Sequence, residues 1–289
     1  LTALARVLCD WSEPPSVLVQ LEGHGREDLF DEVDLSRTVG WFSSLFPVRL
    51  TPQAQPGASL CAIKEQLRAV PGKGIGYGVL RYLTRSSELQ GLAQPRVTFN
   101  YLGQFDGAFN ADAGALFIPA GESTGANQDA AAPLGNWLSI DGQVYGGELE
   151  LTWAFGTGMY RAETIEALAE ACRRQLERLI EHCGDRGAAG VTPSDFSLAS
   201  LTQAQLSALP IPARDIVDLY PLSPMQQGIL FHSVNDPDSP AYTNQLRVDV
   251  RNLDTERFRQ AWQQTVDAHE ILRTAFVWPQ DAAAAVQVV

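Results

Sequence analysis

The stretch SVLVQLEGHGRE (residues 16–27) decides how the N-terminal part of the chain is read. Its first half, Val17 to Leu21, is short and apolar, as a largely buried strand would be. Its second half sets Glu22, His24, Arg26 and Glu27 around Gly23 and Gly25. An ordinary turn needs no such collection of ionisable groups, and glycine leaves the backbone free to present one of them to a substrate. On residue types alone, mutual Glu/Arg pairing at a solvated strand end explains the stretch equally well. In the functional reading, Glu22 is a general acid/base at a cleft edge, tuned by His24, Arg26 and its own burial.

Outward from this stretch the first ~200 residues alternate strand-like and helix-like text. VGWFSSLFPVRL (39–50) reads as a mostly buried run, with Trp41 in the core. SLCAIKEQLRAV (59–70) spaces Leu60, Ile63 and Leu67 helically, and Pro71–Gly72 ends it. RVTFNYL (96–102) alternates, with Val97, Phe99 and Tyr101 on one side and Thr98 and Asn100 on the other. Phe99 is expected in the core. Residues 107–135 lack periodicity and read as an exposed loop. ELELTWAF (148–155) is a strand facing Leu149, Leu151, Trp153 and Phe155 one way. The segment 163–183 is a helix with Ile165, Leu168, Cys172, Leu176, Leu179 and Cys183 on its apolar stripe, and Gly184 stops it. After Phe196 comes a short helix and a proline-containing connector. AYTNQLRVDV (241–250) reads as a half-buried strand. Residues 253–272 read as a helix capped by Asp254, with Phe258 and Trp262 inward, and 272–278 as a strand.

The whole chain sets limits. At 289 residues and 45% hydrophobic content it can build a substantial core, so global disorder is excluded. A net charge of −13 argues against a nucleic-acid partner, and no run approaches the ~20 apolar residues of a membrane span. Four cysteines without CxxC pairing suggest buried free thiols, Cys172 and Cys183 among them, and a cytoplasmic location. The start at Leu1 and the finish in AAAAVQVV, with no closing element, suggest a piece of something longer.

Several motifs tempt and fail. GESTG (121–125) matches a nucleophile elbow but lies in the expected loop, without the strand and helix that the elbow needs. PGKGIGYG (71–78) misses the register of a phosphate-binding loop, so its glycines are assigned to backbone flexibility or close approach. HEILR places Arg273 where a zinc-protease helix needs its second histidine, and no metal is expected. His232 is read as partly buried.

Four stretches in order, LEGHGRE (21–27), DLSRTVGWFSSLFPVRL (34–50), PGKGIGYGVLRY (71–82) and FNYLGQFD (99–106), resemble the signatures of the epimerization domain of nonribosomal peptide synthetases. The resemblance runs to TPSDF (192–196) and covers the C-terminal half of that domain. A second resemblance, in DIVDLYPLSPMQQGILFHS (215–233) and DAHEILRTAF (267–276), is to the opening of a condensation domain of the same synthetases. The organisation implied is 1–198 as the C-terminal lobe of an epimerization domain, 199–214 as a linker, and 215–289 as the truncated start of a condensation domain. The fold implied is α/β, an α+β two-layer sandwich: a chloramphenicol acetyltransferase-like lobe followed by part of a second lobe.

The resemblance also implies chemistry. An epimerization domain removes the α-proton of an L-aminoacyl or peptidyl thioester and returns one from the other face, giving the D form. Glu22 would be the base on one face, and Tyr101, Asn100 and Arg37 the candidates to stabilise the enolate oxygen. Since a regular strand sends Asn100 and Tyr101 to opposite faces, Tyr101 is favoured. No cofactor is expected to bind directly. The 4'-phosphopantetheine belongs to a partner peptidyl carrier domain that brings the thioester. Further partners implied are the missing N-terminal lobe, with its H-H-x-x-x-D-G motif, and the adjacent condensation domain. Without that lobe the chain alone is not expected to turn over. Two alternatives remain, a condensation-domain C-lobe and a non-catalytic module that docks carrier domains.

Overall fold

The computed structural model describes residues 1–105, 122, 125–126, 129, 131–132, 135–185, 190–278 and 285–289. Most of the loop expected over 107–135 lies outside the described residues, as do Gly121, Ser123 and Thr124 of GESTG. The chain divides into two compact units, Leu1–Asp185 and Arg186–Val289.

In the first unit, elements run α1 (Thr2–Ser12), β1 (Val17–Gly23), β2 (Ser44–Leu50), α2 (Pro56–Arg68), the single turns α3 (Ile75–Gly78) and α4 (Ser87–Gln90), β3 (Val97–Gln104), β4 (Leu138–Tyr145), β5 (Glu148–Phe155) and α5 (Ala162–Gly184). The five strands form one mixed sheet in the order β2-β1-β3-β4-β5. The outer pairings are antiparallel, and β1–β3 and β3–β4 are parallel. Register decides which side chains meet. Val19, Val48 and Val97 share a row, as do Leu21, Phe46, Phe99, Ile140 and Trp153, all on the face that α1, α2 and α5 cover. Ile140 is 1% exposed, and burial of such a side chain contributes about 1.5–3 kcal/mol.

The expected helix over 59–70 forms, but starts at Pro56, where the missing N–H costs no intrahelical bond. The long helix places Ile165, Leu168, Cys172 and Leu179 inward as expected, whereas Cys183 is exposed in the last turn. Helix α1 is an addition to the expected elements. It inserts Ala3, Leu4, Val7 and Leu8 under the sheet. The run 39–50 is corrected too. Only Ser44 onward is strand, because β1 ends at Gly23, whose partner is Ser44, so residues before it have no strand to pair with. Val39 and Trp41 are therefore 97% and 92% exposed instead of buried. Phe99 does pack against the core.

The second unit has a three-stranded antiparallel sheet, β6 (Leu219–Pro221), β8 (Val286–Val288) and β7 (Ala275–Val277), in that spatial order. The stretch read as a linker is folded here. Helix α6 (Gln203–Ser207) is capped reciprocally by Thr202 and Gln205, and Leu201, Leu206 and Leu209 join Phe196, Leu219, Val286 and Val288 in a small core. The segment with no expected closing element thus supplies the central strand. Helix α7 (Pro224–Asn235) starts at a Ser223/Gln226 capping box, and α8 (Thr255–Ala268) at Asp254, as expected. Residues 241–250 form no strand. Tyr242, Leu246, Val248 and Val250 alternate but are at least half exposed, and no described strand pairs with them. Phe258 and Trp262 pack edge-on against each other while half exposed, and His232 is exposed, stacked obliquely near Tyr242.

Candidate functional site

Beyond Gly23 the chain leaves the sheet and is pinned at successive residues. The N–H of Arg26 donates to His24 Nδ1 at 3.0 Å, so the neutral imidazole carries its proton on Nε2, which faces Glu27 Oε1 at 3.2 Å. Gly25 sits at φ +65°, and a Cβ there would fall 1.6 Å from the Phe42 carbonyl oxygen. Only glycine lets the 40–43 backbone close in at this point. The Arg26 guanidinium donates to the carbonyls of Leu35 (3.0 Å) and Gly40 (2.9 Å) and lies 4.6 Å from the Phe42 ring centroid. A cavity of about 340 Å³ opens between Arg26, Asp28 and the 33–38 stretch, and Glu22 does not line it.

Glu27 completes the arrangement. Its side chain is 12% exposed, and its Oε2 lies 2.7 Å from Lys73 Nζ in the PGKG turn. Hydrogen bonding and charge from Glu27, with a contribution from Asp28, hold the Lys73 ammonium above its ordinary 10.5. The raised value fixes the sign of a pH effect. The stabilisation from this pair is fully present below pH 10.5 and is lost as pH rises through the higher folded-state value. Alkaline unfolding compared between the wild type and Lys73→Met should therefore show curves that converge above that range. Curves separated by a constant amount across it would reject the pairing.

The roles expected of His24 and Arg26 are thereby corrected: His24 faces Glu27, and Arg26 holds the 35–42 loop, so neither side chain pairs with Glu22. Glu22 stands exposed on the sheet face that no described helix covers, opposite Leu45 of β2. The parallel register of β1 with β3 runs to Leu21↔Phe99, so Glu22 and Asn100, each the next residue along, fall on the same face of adjacent strands. Asn100 in turn pairs with Asp141, and Asp141 with Thr152. Among the described residues the side chains of Glu22, Asn100 and Asp141 make no hydrogen bond or ion pair, so all three are available to a ligand.

Tyr101, the favoured candidate, is on the other side. It pairs with Gly142 in the row of Leu151, and its ring lies 3.4 Å from where a Gly142 Cβ would be, on the helix-packed face. Register thus puts Asn100, and not Tyr101, on the face of Glu22. One extra residue between Tyr101 and Gln104 shifts the pairing, a bulge directly after Tyr101. Arg37 lies on an exposed turn of the 35–42 loop, outside the sheet. Sequence reasoning missed Glu27, Lys73 and Asp141. No three His, Cys, Asp or Glu residues converge as metal ligands among the described residues, and no described helix is long and apolar enough to cross a membrane.

The first unit is thus an α/β fold, a mixed sheet backed by helices on one face with an acid and an amide on the other. Residues 1–202 and 216–289 match the family described as "Condensation domain", and the chain belongs to that family. It is 44% identical over 284 residues to a linear gramicidin synthase of Brevibacillus parabrevis, covering 96% of this chain and 4% of that protein. It is 36% identical over 282 residues to bacitracin synthase 3 of Bacillus licheniformis, covering 95% of this chain and 4% of that one. Among solved structures, the epimerization domain from the third module of tyrocidine synthetase B is 37% identical with a TM-score of 0.57. That match covers 63% of this chain and 41% of the solved one. The chain therefore spans a small part of the synthases it resembles, and less than half of the solved domain.

Proposed function

We propose that residues 1–198 are the C-terminal lobe of an epimerization domain in a nonribosomal peptide synthetase, and that residues 215–289 begin the condensation domain after it. The substrate is an L-aminoacyl or peptidyl thioester on the phosphopantetheine arm of a carrier domain. The Glu22 carboxylate takes the α-proton. The C–H electron pair moves toward the thioester carbonyl, leaving charge on its oxygen, and a proton returned from the opposite face gives the D form. Asn100 Nδ2–H donates to that oxygen as its charge develops, where a preorganised donor lowers the barrier most.

The observation that supports the reading is that Glu22 and Asn100, both without side-chain partners among the described residues, directly follow the Leu21↔Phe99 pair on the sheet face that no described helix covers. The 37% identity to a solved epimerization domain supports it. The group on the opposite face, and the cover that would desolvate Glu22, come on this reading from the larger part of that domain, which this chain does not match. To test it, the carrier of the intact synthetase is loaded with an α-deuterated L-aminoacyl group, and the released acid is analysed for label and configuration. Loss of deuterium to solvent with formation of D product is expected. Retention of both label and configuration, with peptide-bond formation intact, would reject it in favour of a docking or condensation lobe.

A further inference from the structure

Glu22 is the acid that borders the first glycine of its stretch, but the carboxylate most committed to structure there is Glu27. It reaches two groups that the sequence keeps apart: His24 three residues before it and Lys73 far along the chain. Lys73 itself sits at φ +50° in a turn whose next residue, Gly74, lies against the Phe46 ring of β2. The carbonyl of Lys73 also comes within 3.7 Å of where a Gly23 Cβ would be. The turn therefore touches β1, β2 and the chain leaving β1 at once. Glu22 is the residue just before Gly23, and its own side chain holds nothing among the described residues. Whatever fixes the direction of its Cα–Cβ bond must act through the backbone on either side. On the N-terminal side that is the sheet ladder. On the C-terminal side it is the pinned run His24–Glu27.

We propose that Glu27 and Lys73 form a positioning latch for Glu22, with His24 as the intermediate contact, rather than a surface ion pair of little consequence. The proposal rests on the epimerase reading of Glu22. The two long side chains close the far end of the 24–27 run onto the PGKG turn, so β1 keeps its strand geometry through Glu22. A base held to within a fraction of an ångström is worth far more than one free to wander, since a 1 Å misplacement can cost about 10²-fold in rate. Exposed ion pairs contribute little to stability, but Glu27 is largely screened from solvent and meets a second partner, which restricts its orientation.

Two measurements on the intact synthetase test the latch. In Glu27→Gln and Lys73→Met, kcat for α-proton exchange should fall about 10-fold or more while KM for the loaded carrier stays within twofold. Lys73→Arg, which keeps a cation on Glu27 and leaves the His24 contact intact, should hold most of the wild-type rate. Amide hydrogen exchange gives a readout that needs no activity. Protection at residues 22–27 should drop in Glu27→Gln and Lys73→Met and persist in Lys73→Arg, while β4 and β5 stay unchanged. Unaltered protection at 22–27 overturns the latch. So does lost protection with kcat intact, or a loss of rate that only follows the folded fraction. Should the wild type exchange no α-proton while the amide pattern behaves as expected, the epimerase reading fails and the latch survives as a structural device.

Discussion

Glu22→Gln in the intact synthetase is expected to slow α-proton exchange on the carrier-bound thioester by about 10²-fold or more, since the amide has the shape of the acid and none of its basicity. The substitution should leave the fold untouched. Glu22 is exposed, opposes only Leu45 across the strand pair, and makes no side-chain bond among the described residues, so unfolding should change by no more than about 0.5 kcal/mol. This separates the catalytic reading from a structural one. A residue that mattered for folding would lower yield and midpoint together with rate, whereas a base lowers rate alone. Binding of the loaded carrier should also persist, because the proton is removed after docking. Deuterium wash-in at the α-carbon near the wild-type rate would end the assignment. In that event Asp141, two strands away on the same face, is the next carboxylate to test.

What could be read in the sequence follows from which signals are local. The alternation at 96–102 and 148–155 survives in β3 and β5 because one face of each packs against helices and the other does not. The same alternation at 241–250 gives no strand, since period two states a preference and cannot supply a neighbour. Trp41 looks like core for a related reason: aromatic and β-branched text resembles a strand, but β1 has already ended. Helix α1 is legible after the fact, with Leu4, Val7 and Leu8 at helical spacing. Which of Asn100 and Tyr101 shares the face of Glu22 is also within reach. Tyr101 shares its parity with Val97 and Phe99, and a strand whose Phe99 is in the core has its Tyr101 on the core side. By contrast, nothing local links Glu27 to Lys73. Their pairing depends on where a turn folds back, and a single sequence gives no distance between them.

The second large effect is expected at Gly74. A Cβ there would lie 2.1–2.5 Å from Cγ, Cδ1 and Cδ2 of Phe46, inside the ring, and the residue's φ is +84°. Phe46 cannot retreat freely, because it belongs to the buried cluster with Val19, Leu21 and Val48. Gly74→Ala should thus combine the backbone penalty of a left-handed alanine with overpacking of a core aromatic, together about 2–5 kcal/mol. The neighbouring glycines provide the control. A Cβ at Gly76 or Gly78 meets nothing within 4 Å, so Gly76→Ala in α3 should be neutral or gain up to about 1 kcal/mol from reduced chain entropy. Urea unfolding of the two variants decides what the glycine-rich stretch is for. If its glycines served flexibility, alanine at 74 and at 76 would act alike. If Gly74 exists so that the turn can lie on the Phe46 ring, only the first variant should unfold early. It should also loosen the 22–27 amides, because Lys73 is carried on the same turn that the ring supports.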